Sequence, residues 1–199
     1  MRAWVTGCEN LGMAHVFVFH HALGLTDGVR SFAESLSAAG YRVTTPDLFD
    51  GKVFDDLDAG VAHADRIGFA RFAEQGAQTV AGTAGPVAVV GFSLGALPAQ
   101  RAAQTLPDVT GAVLLHSAVP LGFFADDWPL GVGLQVHLGE RDPWATEDAD
   151  AARELQTAGG ELFWYDTDRH LVCDHTTADH DPEIAALILE RTLTFLAAR

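Results

Sequence analysis

The chain is poor in cysteine, in cationic side chains and in long apolar runs. Its two cysteines, Cys8 and Cys173, are too few for a disulfide framework, and we interpret them as thiols in a reducing compartment. No apolar run approaches the roughly 18–20 residues that a membrane span needs. The N-terminus contains no apolar stretch of signal-peptide length. We therefore expect a cytoplasmic protein, and we interpret residues 1–12 as an N-terminal extension before a native start at Met13.

The scarcity of cations leaves a strongly acidic chain, with 12 Lys and Arg against 27 Asp and Glu and a net charge of −15. Nucleic-acid partners select for a basic surface, so this balance argues against them. An anionic membrane surface is disfavoured for the same reason. With 199 residues, of which 48% are apolar, the chain is long enough to form one folded domain with a substantial core.

Short apolar runs alternate with amphipathic segments along the chain. Strands are predicted at 16–19, 41–45, 87–90, 112–115, 134–138 and 161–165. Helices are predicted at 27–39, 62–78, 96–106, 146–158 and 182–198, and loops at 48–59 and 117–133. We expect the last helix to bury Ile184, Leu187, Ile188 and Phe195. Because the strands lack polar alternation, they are expected to be buried on both faces, as in a parallel sheet with helices on both sides.

The segment Gly91–Gly95 matches the pattern G-x-S-x-G, and it lies between a predicted strand and a predicted helix. A chain that reverses sharply from strand to helix strains its central residue and requires small neighbours. Ser93 is therefore predicted to stand above the sheet edge as a nucleophile. The N–H of Leu94, at the start of the helix, is predicted to donate to an oxyanion.

A serine hydroxyl needs a base, and in this architecture an acid and then a histidine follow the serine along the chain. Asp142 follows the strand at 134–138, with Glu140 as the rival acid. His170 follows the strand at 161–165 and is the best candidate base, with His175 and His180 as rivals. Parallel sheets bind ligands at the carboxyl ends of their strands, where all these residues fall.

These residues together resemble the dienelactone hydrolase family of the α/β-hydrolase superfamily. The resemblance covers nearly the whole chain from about His15 onward. It rests on the segments 20–25, 46–49, 91–95, 139–143 and 169–171. It implies a single α/β-hydrolase domain, residues 1–199, with a mostly parallel central sheet. It also implies a triad of Ser93, Asp142 and His170, a second oxyanion donor at the backbone N–H of Ala22, and neither metal nor organic cofactor.

Two positions depart from the well-studied dienelactone hydrolases. Those enzymes have cysteine as the nucleophile in the turn between strand and helix, where this chain has Ser93. They also have glutamate where this chain has His21. The glutamate helps to control the thiol, so a plain Ser–His–Asp relay is the more economical mechanism here. The expected reaction is hydrolysis of a small ester or lactone through an acyl-enzyme, with dienelactone itself an open question. The family's substrate-binding arginines do not map clearly onto Arg141 and Arg169.

Several side chains are candidates for lining the substrate pocket. They are His21, Phe92, Phe123 and Trp144, with Phe124 and Trp128 as further aromatic candidates. Two alternatives remain open: a non-catalytic ligand-binding protein on a hydrolase scaffold, and a thioesterase or other acyl hydrolase. A third interpretation treats a polar run near the C-terminus as a metal site, although its spacing better fits a solvated acidic loop. That run contains His170, Asp174, His175, Asp179, His180 and Asp181.

Overall fold

The computed structural model describes residues 14–199, and the N-terminal extension and the start at Met13 lie outside them. Six strands form one sheet in the order β2-β1-β3-β4-β5-β6, and every neighbouring pair is parallel. The strands are β1 (His15–Phe19), β2 (Arg42–Thr44), β3 (Val87–Phe92), β4 (Val109–Leu115), β5 (Gly133–Gly139) and β6 (Glu161–Tyr165). The parallel α/β architecture predicted from the apolar runs is confirmed.

Seven helices connect and cover these strands in the described part of the chain. They are α1 (Asp27–Ala38), α2 (Leu57–Ile67), α3 (Phe69–Val80), α4 (Ala96–Thr105), α5 (Pro143–Thr146), α6 (Ala149–Thr157) and α7 (Pro182–Ala197). Between residues 14 and 199, no helix has both the length and the apolarity needed to cross a membrane.

The sheet is buried on both faces because alternate residues of each strand enter different cores. In β1, Val16 and Val18 pack with α1 and α7. Phe17 and Phe19 pack on the opposite face, with α3, α4 and α6. All four side chains are nearly inaccessible. This two-sided burial explains why the strands appear in the sequence as uninterrupted apolar runs.

The segment between β2 and β3 differs from its prediction. One helix was expected at 62–78 after a loop at 48–59, but the chain forms α2 and α3, divided at Gly68. Gly68 has a φ of 90°, a left-handed conformation that ends α2 and that glycine adopts without steric cost. The Asp56 side chain accepts a hydrogen bond from the N–H of Ala59, so α2 begins inside the predicted loop.

Two further predictions need correction. The helix expected at 146–158 begins later, at Ala149, as α6, and the short α5 ends at Thr146 before it. The last helix buries Ile188 and Phe195 as predicted, but Leu187 is 38% exposed and Ile184 is only partly buried. Leu187 follows the same apolar pattern as its neighbours, although it lies toward the outer face of α7.

Candidate active site

Ser93 occupies the sharp turn between β3 and α4. Its φ is 49°, in the left-handed region that non-glycine residues rarely adopt, which confirms the strained geometry predicted for this position. The residue lies at the carboxyl edge of the sheet and is only partly buried. The strain and the position together are typical of a nucleophile elbow.

The two glycines of the motif are required by close backbone contacts. A Cβ at Gly91 would collide with the carbonyl oxygen of Gly95. A Cβ at Gly95 would collide with the carbonyl oxygens of Phe19 and His20, at the end of β1. The elbow is therefore packed against the segment that follows β1, where the predicted second oxyanion donor lies.

The structure brings Ser93, His170 and Asp142 into one hydrogen-bonded chain. Ser93 Oγ lies 2.7 Å from His170 Nε2, and His170 Nδ1 lies 2.6 Å from Asp142 Oδ2. Both the imidazole and the carboxylate are nearly inaccessible to solvent. A carboxylate only accepts hydrogen bonds, so Nδ1–H donates to Asp142 and Nε2 is free to accept the serine proton. This is the hydrogen-bonding arrangement that a general base at His170 requires.

Asp142 is fixed by a second contact in addition to the histidine. Its Oδ1 accepts a hydrogen bond of 2.9 Å from the N–H of Trp144, which caps the N-terminus of α5. The rival acid, Glu140, is exposed and lines a different surface cavity near Arg153. The carboxylate that contacts His170 is therefore also held by the backbone on its other oxygen.

The loop that carries His170 is tied to a nearby carboxylate. Asp179 Oδ2 accepts the backbone N–H groups of His170 and Leu171, each at 3.3 Å. The rival His180 donates from Nδ1 to the carbonyl of Val172, and its ring lies 6.5 Å from that of His175. The two rivals therefore interact with the loop rather than with Ser93.

The two predicted oxyanion donors, Leu94 and Ala22, follow the ends of the neighbouring strands β3 and β1. Leu94 is in the 3-10 turn Ser93–Gly95, and the first N–H groups of such a turn have no acceptor within it. Ala22 lies in the turn after β1, in which the N–H groups of Leu23 and Gly24 donate back to His21. The role of these two N–H groups as oxyanion donors stays a prediction.

His21 forms a contact that the sequence did not predict. Its Nδ1 accepts the N–H of Leu23 at 3.2 Å, so its proton is on Nε2, which donates to Asp174 Oδ2 at 2.7 Å. Thr26 Oγ1 donates to the same carboxylate oxygen at 2.6 Å, and Thr176 donates to the other oxygen.

Asp174 is an ionised carboxylate inside the protein. Burial alone would raise the pKa of Asp174, but the hydrogen bonds from His21, Thr176 and Thr26 outweigh burial and hold that pKa well below its usual range. His21 and Asp174 are separated by 153 residues, so no local pattern connects them. The pair joins the turn after β1 to the loop that follows His170.

The candidates for lining the pocket occupy three different environments. Phe92 is fully buried against Phe32, with ring centroids 5.0 Å apart, so its assignment to the substrate pocket is corrected to the core. His21 is likewise fully buried and is committed to Asp174. Trp144 is 43% exposed, and its ring centroid lies 5.9 Å from that of His170.

The other aromatic candidates lie in the long loop before β5. Phe123 is 55% exposed in the 3-10 turn Leu121–Phe123 and contacts Phe124 edge to face at 5.0 Å. Trp128 is packed against the core and donates from its indole N–H to the carbonyl of Val132. A role for Phe123 in substrate contact stays a prediction.

A cavity of about 320 Å³ lies beside Trp144 and Leu171, the residue that follows His170 in the chain. Leu23, the neighbour of Ala22, also lines it. Most of the remaining wall is acidic. The acidic side chains are those of Asp55, Asp56, Asp58 and Asp179.

Two polar residues near His170, His116 and Asp148, were not predicted as part of the site. His116, at the end of β4, has a φ of 67°, and its ring lies 5.9 Å from that of His170. Burial, together with the neighbouring His170, lowers the pKa of His116. Asp148 accepts hydrogen bonds from Ser117 Oγ and from the N–H of Ala118. The sequence offers one signal for them: His116 directly follows a strand, and so does Ser117, the partner of Asp148.

The residues of the proposed metal site are occupied with other contacts. Asp174 and Asp179 accept the hydrogen bonds described above, and Asp181 caps the N-terminus of α7. Among residues 14–199, no group of three or more histidine, cysteine or carboxylate side chains is arranged to hold a metal ion.

Comparison with known proteins gives one family and a set of related folds. The model of the dienelactone hydrolase family matches residues 1–199. A protein named m3DLH has 23% identity and a TM-score of 0.72 over 96% of this chain and 89% of its own. A dienelactone hydrolase-like promiscuous phosphotriesterase from metagenomic libraries has 21% identity and a TM-score of 0.74, over 93% and 86%.

A third solved structure, dienelactone hydrolase from Anabaena variabilis, has 17% identity and a TM-score of 0.64, over 94% of this chain and 88% of its own. At these identities the likeness concerns the fold. The search of curated proteins found no match.

Proposed function

The chain belongs to the dienelactone hydrolase family, and from this membership we propose that it is a serine hydrolase that cleaves a small carboxylic ester or lactone through an acyl-enzyme. The observation that carries the proposal is the continuous hydrogen-bonded chain from Ser93 Oγ through His170 to Asp142. A serine in contact with an imidazole that a buried carboxylate orients is the arrangement that activates a hydroxyl for acyl transfer.

In the proposed mechanism, Ser93 Oγ attacks the ester carbonyl carbon while His170 Nε2 takes the hydroxyl proton. Asp142 stabilises the imidazolium that forms. The N–H groups of Leu94 and Ala22 receive the negative charge on the carbonyl oxygen. Collapse of the tetrahedral intermediate breaks the bond to the alcohol, which takes the proton from His170. Water, deprotonated by the same imidazole, then hydrolyses the acyl-enzyme and frees Ser93.

The environment of His21 supports a relay without a further acid at the nucleophile. By resemblance, the family's thiol enzymes have a glutamate at this position. Here the imidazole of His21 is committed to Asp174 and the N–H of Leu23. Ser93 therefore depends on His170 alone for its activation.

The proposal is tested by covalent labelling with a fluorophosphonate probe, followed by intact-mass measurement and peptide mapping. The wild type is expected to take up one label on Ser93, and Ser93→Ala is expected to take up none. Ser117→Ala serves as the matched control, because Ser117 also follows a strand but its hydroxyl donates to Asp148. The control is expected to be labelled like the wild type.

The same proteins are then assayed with p-nitrophenyl esters of increasing acyl length, lactones, dienelactone and a thioester. A phosphotriester is included because one structural neighbour is described as a promiscuous phosphotriesterase. Hydrolysis of at least one ester or lactone, lost in Ser93→Ala, is the expected result. A folded wild type that is not labelled and cleaves no activated ester would sink the proposal.

A further inference from the structure

His20 connects two separate backbone segments through its ring nitrogens. The N–H of Leu48 donates to Nε2 at 3.1 Å, and Nδ1 lies 2.8 Å from the carbonyl oxygen of His21. A backbone N–H only donates, so Nε2 is the acceptor and the ring proton is on Nδ1. The imidazole of His20 therefore donates to the carbonyl of His21.

The carbonyl of His21 is held by two donors. Besides His20 Nδ1–H, it accepts the N–H of Gly24 at 3.0 Å. This carbonyl and the N–H of Ala22 belong to the same peptide group. A trans peptide is planar, and its C=O and N–H point in opposite directions. The two bonds to the carbonyl of His21 therefore also fix the direction of the Ala22 N–H.

The imidazole of His20 is rigidly placed and is neutral at physiological pH. It is fully buried, with ring centroids 4.8 Å from Phe49 and 6.0 Å from Phe72 in edge-on contacts. Burial lowers the pKa of His20 to about 4, so the tautomer that donates from Nδ1 persists across the neutral range. The carbonyl of His20 also lies against Gly95, which places this segment in contact with the elbow.

We propose that His20 is a positioning residue of the oxyanion site, which aims the Ala22 N–H at the oxygen that becomes negative when Ser93 attacks. This inference rests on the proposed function. It assigns a task to a histidine whose ring is hydrogen-bonded to the backbone of His21 and Leu48 rather than to Ser93 or His170. Loss of one oxyanion donor lowers kcat by about 10²–10³. Misaligning that donor is therefore expected to lower kcat by roughly 10- to 100-fold.

Two substitutions separate the donor from the rest of the ring. His20→Asn retains an N–H group at the place of Nδ1, within reach of the carbonyl of His21. His20→Gln places its amide where Nε2 lies, so it accepts the N–H of Leu48 but gives up the bond to His21. The expected results are a kcat within about fivefold of the wild type for Asn and a roughly 10- to 100-fold lower kcat for Gln, both with an unchanged KM.

A boronic acid that forms a tetrahedral adduct with Ser93 supplies a second readout. His20→Gln is expected to weaken its inhibition by the same factor as kcat, and His20→Asn to leave it unchanged. Urea unfolding checks that each variant is folded. If the Gln variant does not fold, His20→Met takes its place, because methionine fills the apolar cluster without any donor.

The inference is overturned if a folded Gln or Met variant keeps wild-type kcat and boronate affinity. It is also overturned if the Asn variant loses as much as the Gln variant. Failure of the proposed function gives a different result, because the wild type would then neither be labelled nor hydrolyse esters. If the wild type is labelled and active but the His20 variants keep its kcat and boronate affinity, only the inference about His20 is rejected.

Discussion

A serine hydroxyl is a weak nucleophile, and the proposed mechanism assigns the activation of Ser93 to its hydrogen-bonded neighbours. The left-handed backbone lifts the side chain out of the sheet, and His170 Nε2 accepts its hydrogen bond. Asp142 sets the tautomer of that imidazole and is itself fixed by the N–H of Trp144. In this series of hydrogen bonds, each residue orients the one before it. The buried carboxylate of Asp142 therefore acts on the hydroxyl of Ser93 through His170, without contacting it.

The matched variants Asp142→Asn and Glu140→Gln test which carboxylate orients His170. The Asn side chain presents an N–H to His170 and favours the wrong tautomer, so kcat is expected to fall by about 10³- to 10⁴-fold. Glu140 is exposed and does not contact His170, so Glu140→Gln is expected to stay within about twofold of the wild type. Steady-state kinetics on an activated ester measure both. Equal losses in the two variants would show that Asp142 has no special role.

Among the elements, α1 shows how a helix can be held to the site by one buried charge. Thr26 caps its N-terminus by accepting the N–H of Val29 and also donates to Asp174. Gly28, in the first turn, lies directly against that carboxylate, and a Cβ there would collide with it. The absence of a side chain at Gly28 therefore allows Asp174 to reach both Thr26 and His21.

Gly28→Ala is the corresponding test. Replacing glycine by alanine within a helix normally stabilises it by up to about 1 kcal/mol. Here the added methyl group displaces the Asp174 carboxylate, and we expect the free energy of unfolding to fall by about 2–3 kcal/mol. Ser37→Ala, at an exposed position of the same helix, is the control and is expected to be neutral or slightly stabilising. Urea denaturation decides the sign, and a stabilised Gly28→Ala would contradict this packing.

The elements also show what the sequence could and could not predict. Buried parallel strands appear as uninterrupted apolar runs, so the sheet could be predicted. The turn at Ser93 could also be predicted, because steric limits require glycine on both sides of it. The pairing of His21 with Asp174 was not, because it depends on how two distant loops fold over the sheet edge. The assignment of Phe92 to the substrate pocket was wrong, because the motif does not specify whether the side chain before the serine points to the core or to a cavity.

In the whole molecule, buried neutral histidines make stability depend on pH. Burial lowers the pKa of His20 to about 4, and burial together with the neighbouring Arg191 lowers that of His137 to about 3. Both are near 6.5 in an unfolded chain, so between pH 6.5 and 4 the unfolded state binds more protons than the folded state. The free energy of unfolding therefore falls as the pH falls through this window.

Each of these two histidines is expected to cost about 2 kcal/mol of stability between pH 7 and pH 5. Urea unfolding at the two pH values measures the difference. His137→Phe should reduce that difference by about 2 kcal/mol, whatever it does to stability at pH 7. His175→Asn, at an exposed position, should leave the difference unchanged. A wild type equally stable at both pH values would contradict the buried neutral state.

If the proposed substrate enters through the acidic cavity beside Trp144 and Leu171, the carboxylates of that cavity and the net charge of −15 both repel an anionic ester. Uncharged esters are expected to have a kcat/KM about tenfold higher than matched esters bearing a carboxylate at low ionic strength. Added salt should shrink this ratio by screening. Asp55→Asn is expected to reduce the preference, and Glu190→Gln, exposed on α7, to leave it unchanged. A preference for the carboxylate ester would contradict this electrostatic argument.

In the proposed mechanism, Ser93 Oγ carries the acyl group during turnover. Rapid-quench mass spectrometry during hydrolysis of a p-nitrophenyl ester tests it directly. One acyl group per chain is expected, located by peptide mapping at Ser93 and absent from Ser93→Ala. Turnover by a wild type that never becomes acylated, or that is acylated at another residue, would contradict it.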